Sequence, residues 1–383
     1  MRWILLAVLT TIPGSAVALG MVRASDPMSA LLFGITIVGA AFLLSWAAEV
    51  AQLDFSQGLA LALLALIAVL PEYAVDATFA WLAAEDPSYA SYAVANMTGA
   101  NRLLIGIAWP MVLVIAFLRF RRTYVELEEG HGLEVIVLLI VSLYAFLLPI
   151  KGTISLLDFG ILFGMFGFYI LRVARLPAEQ PHLVGPAQFV GGLRPVRRRL
   201  VITSFALCAA AVILLVAKPF AKALVNTGEA LGIDEFLLVQ WLAPLASEAP
   251  EFVVVALFAW RGATTPALGT LVSSKINQWT LLVAMLPLVY SVALGRPEAL
   301  PLDPRQQEEM VLTAAQSIFA VALLLDLRLS LVGAGLLFSL FAAQLVAPET
   351  RGVISWLYGL GTPIALLLGR HHISKALHQL KLW

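Results

Sequence analysis

The stretch "PEYAVDATFAW" runs from Pro71 to Trp81, and "PEFVVVALFAW" runs from Pro250 to Trp260. Seven of the eleven positions are identical, and the two copies fall in different halves of the chain. Each copy places a glutamate directly after a proline, inside a long apolar run. Such a glutamate is costly in lipid, by about 2.5–3.5 kcal/mol on membrane-insertion scales. The duplication therefore indicates two related halves that each need this carboxylate.

The composition is that of a membrane protein. Of the 383 residues, 61% are hydrophobic and 13% are charged, whereas a soluble domain is about half apolar and about a quarter charged. The basic and acidic residues balance, and no Walker-type loop occurs, so we expect no nucleic-acid or nucleotide partner. The one cysteine, Cys208, is predicted to be a packed thiol and excludes a disulfide within the chain. We expect no cofactor.

Apolar runs of membrane-spanning length are spread along the whole chain. A spanning helix needs about 20 predominantly apolar residues, and twelve such runs predict an all-α polytopic membrane protein. The predicted spans are 3–22, 29–50, 57–83, 90–118, 133–150, 153–174, 200–218, 235–260, 264–293, 308–325, 329–347 and 352–369. The first run has a second interpretation as a signal peptide, but a first membrane helix is favoured because it fits the charge pattern of the loops.

The basic residues predict the orientation. They concentrate after the even-numbered spans, around 119–122, 172–199, Arg261, 326–328 and the tail from Arg370. Loops rich in Lys and Arg stay in the cytoplasm, so both termini are predicted to be cytoplasmic, in a bacterial-type plasma membrane. The basic tail is expected to lie on the lipid surface.

The two Pro-Glu spans are predicted to cross the membrane in opposite directions, because the second follows five spans after the first. Inverted repeats of this kind form an ion site near the bilayer midplane, where interrupted helices of both halves meet. Pro71 and Pro250 cannot donate an amide hydrogen bond, so each is predicted to break its helix and free a carbonyl. A freed carbonyl in lipid needs a partner, and a bound cation is one.

Further polar side chains accompany the two glutamates. Asp76 is four residues after Glu72, and Glu248 is three residues before Glu251, so each pair shares a helix face. Paired carboxylates suit a hard cation such as Ca²⁺. They also suit protons, since burial and like charge both favour the protonated acid.

The span that follows each Pro-Glu span supplies neutral oxygens, in "ANMTGANRLL" from Ala95 and "GTLVSSKINQ" from Gly269. The predicted cation ligands are Glu72, Glu251, Asp76, Glu248, Asn96, Asn101, Ser247, Thr270 and Ser274.

At these residues the chain resembles the cation/calcium exchanger superfamily, whose best-known members are sodium/calcium exchangers. Each repeat of that family carries a Gly-Thr-Ser-x-Pro-Glu helix and then a Gly-Asn-x-x-Gly-Ser-Asn helix. The corresponding stretches here are 246–251 and 95–101, and the resemblance covers residues 60–118 and 235–293. It implies a ten-helix core of two inverted five-helix repeats, with Glu72 and Glu251 as the core ligands.

The resemblance also implies a division of the chain. We expect an extra helix in 1–28, the repeats in 29–174 and 200–347, a basic cytoplasmic linker in 175–199, and an extra helix with a basic tail in 348–383.

The chain departs from the family pattern in both repeats. Ile67-Ala68-Val69-Leu70 replaces the hydroxyl-bearing stretch, Thr270 and Lys275 replace two asparagines, and Arg102 follows Asn101. Lys275 could take the place of one ion, release a proton when a cation enters, or neutralise Glu248. Lys275 and Arg102 are predicted to compensate the four carboxylates in part, leaving a formal charge of −2 (−4 + 2) that still favours a cation.

These features predict a secondary active cation antiporter, of calcium/cation or sodium/proton type, that carries Ca²⁺, Na⁺ or H⁺ by alternating access. The missing hydroxyls and Lys275 favour proton coupling over sodium coupling. The alternative is a relative that binds a cation without transporting it, as a sensor or a partner subunit. An intramembrane enzyme is less favoured, because no HExxH or GxSxG motif occurs and all five histidines fall in loops or the tail.

Overall fold

The computed structural model describes residues 2–54, 69–175 and 183–380, and it describes side chains there except for Glu129 and 368–380. The helices are α1 (Arg2–Thr10), α2 (Ile12–Ala18), α3 (Asp26–Ala51), α4 (Leu70–Leu82), α5 (Tyr89–Leu103), α6 (Trp109–Phe120), α7 (Gly132–Ala145), α8 (Leu147–Lys151), α9 (Leu156–Val173), α10 (Pro186–Gly191), α11 (Pro195–Leu231), α12 (Glu235–Trp260), α13 (Thr264–Asn277), α14 (Val283–Leu294), α15 (Pro304–Leu324), α16 (Leu331–Val346) and α17 (Arg351–Leu380). The strands are β1 (Tyr124–Glu126), β2 (Thr153–Ile154), β3 (Leu300–Pro301) and β4 (Arg328–Ser330).

Two π-helical turns and two 3₁₀ turns complete these elements. The π turns, Leu104–Ala108 and Gln278–Leu282, join α5 to α6 and α13 to α14. The 3₁₀ turns are Glu129–His131 and Pro348–Thr350.

A helix occurs at every predicted span, and only 57–83 lies partly outside the described residues, with α4 covering its end. Within the described ranges, 7 helical segments are long and apolar enough to cross a membrane. They are Asp26–Ala51, Tyr89–Phe120, Gly132–Lys151, Leu156–Val173, Pro195–Leu231, Glu235–Trp260 and Thr264–Leu294. The prediction of an all-α polytopic membrane protein is confirmed.

Helix α11 differs most from its predicted span. It has 37 residues and contains Pro219, so at about 1.5 Å per residue it is far longer than a bilayer core of about 30 Å. The predicted span ends at residue 218, so Lys222 beyond it is also part of the helix, which ends at Gly232 with a φ of 64°. Cys208 on this helix is exposed and not packed as predicted.

The chain packs as two compact units. One comprises Met1–Ala100, Ile170–Val253 and Val289–Arg296, and the other comprises Asn101–Tyr169, Val254–Leu288 and Pro297–Trp383. Each unit takes segments from both halves of the sequence, so the packing units are not the two sequence repeats.

In the first unit, α1 and α2 pack on α3 through small residues. The Gly14 amide donates to Thr36 Oγ1 at 2.9 Å, and the Thr36 hydroxyl donates to the Thr10 carbonyl at 3.1 Å. A Cβ on Gly39 would lie 2.2 Å from Thr10 Oγ1. In lipid the hydrophobic effect does not hold helices together, so they associate through close backbone packing at small residues.

The strands of the second unit fix the relative direction of two equivalent spans. β1 pairs with β4 and β2 pairs with β3, both antiparallel. Helices α7 and α8 lead from β1 to β2, whereas α15 leads from β3 to β4. These are the fifth and tenth predicted spans, so equivalent spans of the two repeats run in opposite directions. The predicted inversion is confirmed.

An ion pair ties the end of α3 to the start of α11. Arg198 donates to both carboxylate oxygens of Asp54, at 2.7 and 2.8 Å, and Arg199 donates to Oδ1 at 3.1 Å. The hydrogen bond from Arg198 is the main reason that the pKa of Asp54 lies below its ordinary value.

We expect Asp54→Asn to lower the apparent Tm of the detergent-purified protein at pH 7. The lowered pKa stabilises the folded state fully above the ordinary value of about 3.9, and this contribution disappears as the pH falls through the folded-state pKa. The Tm difference between variant and wild type should therefore shrink in acid. Glu229→Gln, at the exposed end of α11, is the matched control. An equal Tm difference at pH 7 and in acid would contradict this assignment.

Candidate cation-binding site

Helix α4 begins at the first Pro-Glu pair. Pro71 occupies the first turn of α4, where its missing N–H is not needed. Glu72 and Asp76 then lie one turn apart, with 4% and 0% of their surface exposed. Since an unsatisfied buried carboxylate is strongly unfavourable, both acids require polar partners within the protein.

Helix α12 carries the second Pro-Glu pair, and it is continuous from Glu235 to Trp260. The prediction that Pro250 breaks its helix is therefore wrong: only the hydrogen bond to the carbonyl four residues earlier is lost. Glu248 is buried, and Glu251 is half-buried. Ser247 is buried and donates to the carbonyls of Ala243 and Pro244, at 3.2 and 3.3 Å.

Asn96 connects α5 to α4. Its side chain is fully buried and its Nδ2 donates to Asp76 Oδ1 at 2.7 Å. Among the described residues, Asp76 Oδ2 and Asn96 Oδ1 are buried without a hydrogen-bond partner. This pair therefore retains two buried oxygen acceptors, of the kind that a hard cation prefers.

Gln240 connects α5 to α12, and the sequence analysis did not select it. It is fully buried, and its Nε2 lies 3.4 Å from Thr98 Oγ1. A Cβ on Gly99 would lie 1.8 Å from the Gln240 carbonyl oxygen, which Pro244 leaves without its helical donor. The signal in the sequence that could have identified Gln240 is its amide side chain in the middle of an apolar run. Helix α5 thus contacts both Pro-Glu helices in the first unit.

The two spans that follow the Pro-Glu helices, α5–α6 and α13–α14, can be aligned residue by residue from their structures. The π turns begin at Leu104 and Gln278 and end at Ala108 and Leu282, so the offset along the chain is the same at both ends. This offset aligns Asn96 with Thr270 and Asn101 with Lys275, as the motif comparison expects. The sequence analysis did not predict the π turns, which often accompany functional sites in helices.

Lys275 and Asn101 contact each other in the second unit. Both are fully buried, and the Lys275 ammonium donates to the Asn101 backbone carbonyl at 2.8 Å and to its Oδ1 at 2.7 Å. It also lies 5.3 Å from the centre of the Trp279 ring, within the range of a cation–π contact. The Lys275 ammonium thus binds the oxygens of Asn101, a predicted cation ligand. This geometry favours the interpretation that Lys275 takes the place of one ion.

Arg102 has a different role from the predicted one. Its guanidinium pairs with Glu309 at 2.5 Å and donates to Gln344 Oε1 at 2.7 Å, and all three residues are buried. Arg351 binds the same Glu309 carboxylate at 2.9 Å. A buried guanidinium needs a carboxylate within reach, and α15 supplies it here, so Arg102 belongs to an ion-pair cluster with Glu309.

The remaining predicted ligands lie on α13. Ser274 is half-buried, whereas Thr270 is exposed and donates to the Pro266 carbonyl of its own helix at 2.9 Å. Thr270 therefore does not contribute to a buried site in this structure.

The family model for "Sodium/calcium exchanger protein" matches the chain twice, over residues 27–174 and 201–348. The chain belongs to this family. Among solved structures, the crystal structure of the H⁺/Ca²⁺ exchanger CAX shares 42% sequence identity with it, covering 99% of this chain and 96% of that one at a TM-score of 0.93. A comparison with curated sequences finds no match.

More distant exchangers share the fold. The structure of native YfkE has 14% identity and a TM-score of 0.66, covering 90% of this chain and 98% of that one. A structure of the sodium-calcium exchanger NCX_Mj has 14% identity and a TM-score of 0.55, covering 84% and 98%. Membership of this exchanger family sets aside the interpretation as an enzyme.

We expect Gly99→Ala to destabilise the exchanger, because the added methyl group would overlap the Gln240 carbonyl. Gly167→Ala on α9 is the matched control, since a Cβ there meets nothing within 4 Å. Alanine is the better helix former by about 1 kcal/mol, so the control should hold or raise the Tm while Gly99→Ala lowers it by several degrees. A Gly99→Ala protein as stable as the control would disprove the close α5–α12 contact.

Proposed function

We propose that this antiporter exchanges Ca²⁺ for protons, at a site whose carboxylates are Glu72, Asp76, Glu248 and Glu251. The observation that carries the proposal is the Asp76–Asn96 pair, which holds two buried acceptor oxygens between the first Pro-Glu helix and α5. The 42% identity to a protein described as an H⁺/Ca²⁺ exchanger supports the choice of ions.

Competition for the same oxygens would couple the two ions. A carboxylate that binds Ca²⁺ must be ionised, whereas a protonated carboxyl has lost part of its acceptor capacity. Cation binding and proton binding then exclude each other, so each access state releases one ion when it takes up the other. Glu72 and Glu251 are the central ligands in this scheme, because each repeat supplies one of them.

Neutral oxygens would complete the shell. Asn96 and Ser247 are buried on the helices that carry or contact the carboxylates, and Asn101 and Ser274 remain candidates on the polar spans. Lys275 fills a monovalent position at Asn101, which supports proton coupling over sodium coupling. In the same scheme, 29–174 and 200–347 act as the two repeats, 175–199 as the linker, and 1–28 and 348–383 as additions.

Both termini would be cytoplasmic, in a bacterial-type plasma membrane. The segments beside β1 and β4 carry Arg119, Arg121, Arg122, Arg261 and Arg328, whereas those beside β2 and β3 carry Lys151, Arg296 and Arg305. Thr265 donates to the Glu126 carbonyl at 2.8 Å, which ties the loop with Arg261 to β1. The more basic face is expected inside.

Flux in proteoliposomes tests the exchange, with a Ca²⁺ dye and a pH dye enclosed. We expect Ca²⁺ uptake with proton release in the wild type, and a loss of at least about a hundredfold in Glu72→Gln and in Glu251→Gln, because an amide cannot carry the exchanged charge. Glu229→Gln is the control and should transport normally. Ca²⁺ binding without flux in the wild type would favour the alternative, a relative that binds a cation without transporting it. The Lys275 ammonium at Asn101 is compatible with that alternative too.

Lys275→Asn tests the role of the ammonium. Removing the charge leaves the Asn101 oxygens open to a monovalent cation, so we expect millimolar Na⁺ to inhibit Ca²⁺ uptake by the variant several-fold and to leave the wild type almost unaffected. Uptake is measured at fixed Ca²⁺ across a Na⁺ series. A variant that is as insensitive to Na⁺ as the wild type would assign Lys275 a structural role.

A further inference from the structure

A second buried carboxylate cluster lies in the second unit, outside the proposed cation site. Glu134 on α7 is buried, and its Oε1 accepts from the Tyr169 hydroxyl at 2.9 Å and from the Ser273 hydroxyl at 2.8 Å. Its Oε2 lies 2.6 Å from Nδ1 of His131, the residue that precedes α7. Both oxygens therefore have partners, as a buried carboxylate needs.

The inverted repeat contains the counterpart of this cluster. The offset along the chain from Glu134 to Glu309 is the same as that from Tyr169 to Gln344. Glu134 and Tyr169 are joined by a direct hydrogen bond. Glu309 and Gln344 are joined through Arg102, which contacts both of them. The two repeats thus bury a glutamate at the same place, but they neutralise it differently.

The chemical difference is the counter-charge. Glu309 pairs with Arg102 and Arg351, and a guanidinium does not deprotonate in proteins. Glu134 pairs with a histidine, the side chain whose ordinary pKa falls between pH 5 and 8. The formal charge of the Glu309 cluster is therefore fixed, whereas that of the His131–Glu134 pair changes from 0 to −1 when the imidazole loses its proton.

We propose that His131 and Glu134 form a proton-binding site that sets the pH dependence of exchange from the face carrying β1 and β4. This inference rests on the proposed exchange function. It assigns a role to a histidine that the sequence analysis placed in a loop and set aside.

Helix α13 connects this pair to Lys275 within the second unit. A Cβ on Gly269 would lie 2.6 Å from His131 Cε1, so the imidazole ring packs directly on the α13 backbone. Ser273 lies one turn further along α13 and binds Glu134. Lys275 follows two residues later and donates to Asn101. A change of charge at His131 therefore acts on the helix that holds Lys275.

Other ionisable groups lie on the elements around the pair. Tyr169 on α9 contacts Glu134 directly, and Glu128 is exposed in the preceding loop. Glu126 and Arg328, on β1 and β4, pair with each other at 2.6 Å. Arg122 donates to Thr264 at the start of α13.

Proton binding is tested directly by NMR of the whole purified protein with ¹³C-labelled histidine rings. The signal that is absent in His131→Gln identifies His131, and we expect it to titrate between pH 5 and 8. In Glu134→Gln its midpoint should move to lower pH, because the carboxylate that favours the imidazolium is gone. A His131 signal that does not titrate in this range, or a midpoint that Glu134→Gln leaves unchanged, would overturn the proposal.

The functional consequence is tested in oriented proteoliposomes, with the pH varied on the β1–β4 face alone. Between pH 5.5 and 7.5 we expect the Ca²⁺ uptake rate of the wild type to change several-fold, because the charge of the His131–Glu134 pair changes over this range. His131→Gln keeps only the pH dependence that comes from proton competition at the transport carboxylates, so its rate should change clearly less than that of the wild type. His378→Gln, in the tail, should behave as the wild type.

The outcomes separate the two proposals. If the wild type shows no exchange, the proposed function fails, and the NMR titration still decides whether the proton site exists. If the wild type exchanges ions and His131→Gln keeps the same pH profile, this inference fails and the proposed function stands. Should His131→Gln not fold, His131→Asn takes its place.

Discussion

Burying a carboxylate among apolar helices is costly unless polar groups of the protein replace the lost water, and this cost organises the interior of the exchanger. Asp76 on α4 binds Asn96 on α5. Glu134 accepts hydrogen bonds from Tyr169 and Ser273. Glu309 pairs with two arginines, one of which begins α17. Each buried acid thereby joins helices that lipid alone would not hold together. Small residues bring other helices together, as Gly99 does where α5 packs against the Gln240 carbonyl of α12.

The inverted repeats share a framework but no longer share its chemistry. Asn101 and Lys275 occupy equivalent positions, and a π turn of the same length follows each of them. These two residues bind each other, so the departure from the family pattern at Lys275 is accommodated by the residue that kept the pattern. The same divergence appears where Glu134 faces a histidine and Glu309 faces arginines. The Glu309 cluster is thus fixed in formal charge, whereas the proposed His131–Glu134 site can respond to protons.

Much of the architecture was predictable because it depends on local composition. A run of about 20 apolar residues forms a helix in lipid whatever surrounds it, and the parity of the spans then gives the inversion of the repeats. Pro250 was predicted wrongly, because neighbouring turns keep α12 helical and the missing hydrogen bond stays local. Cys208 was predicted to be packed, yet it lies on an exposed part of α11. Periodicity alone did not show which side of so apolar a helix faces outward.

The sequence by itself determined the membrane class, the duplicated Pro-Glu pair, the inversion and the family, because hydropathy and motif spacing are properties of the chain. Only the tertiary structure decided the partners of the polar side chains. Arg102 was expected near the acids of the Pro-Glu helices and instead binds Glu309, which belongs to the other half of the sequence. Gln240 and His131 gained their importance in the same way. Partner choice depends on which helices pack together, and side chains distant in sequence meet only once they do.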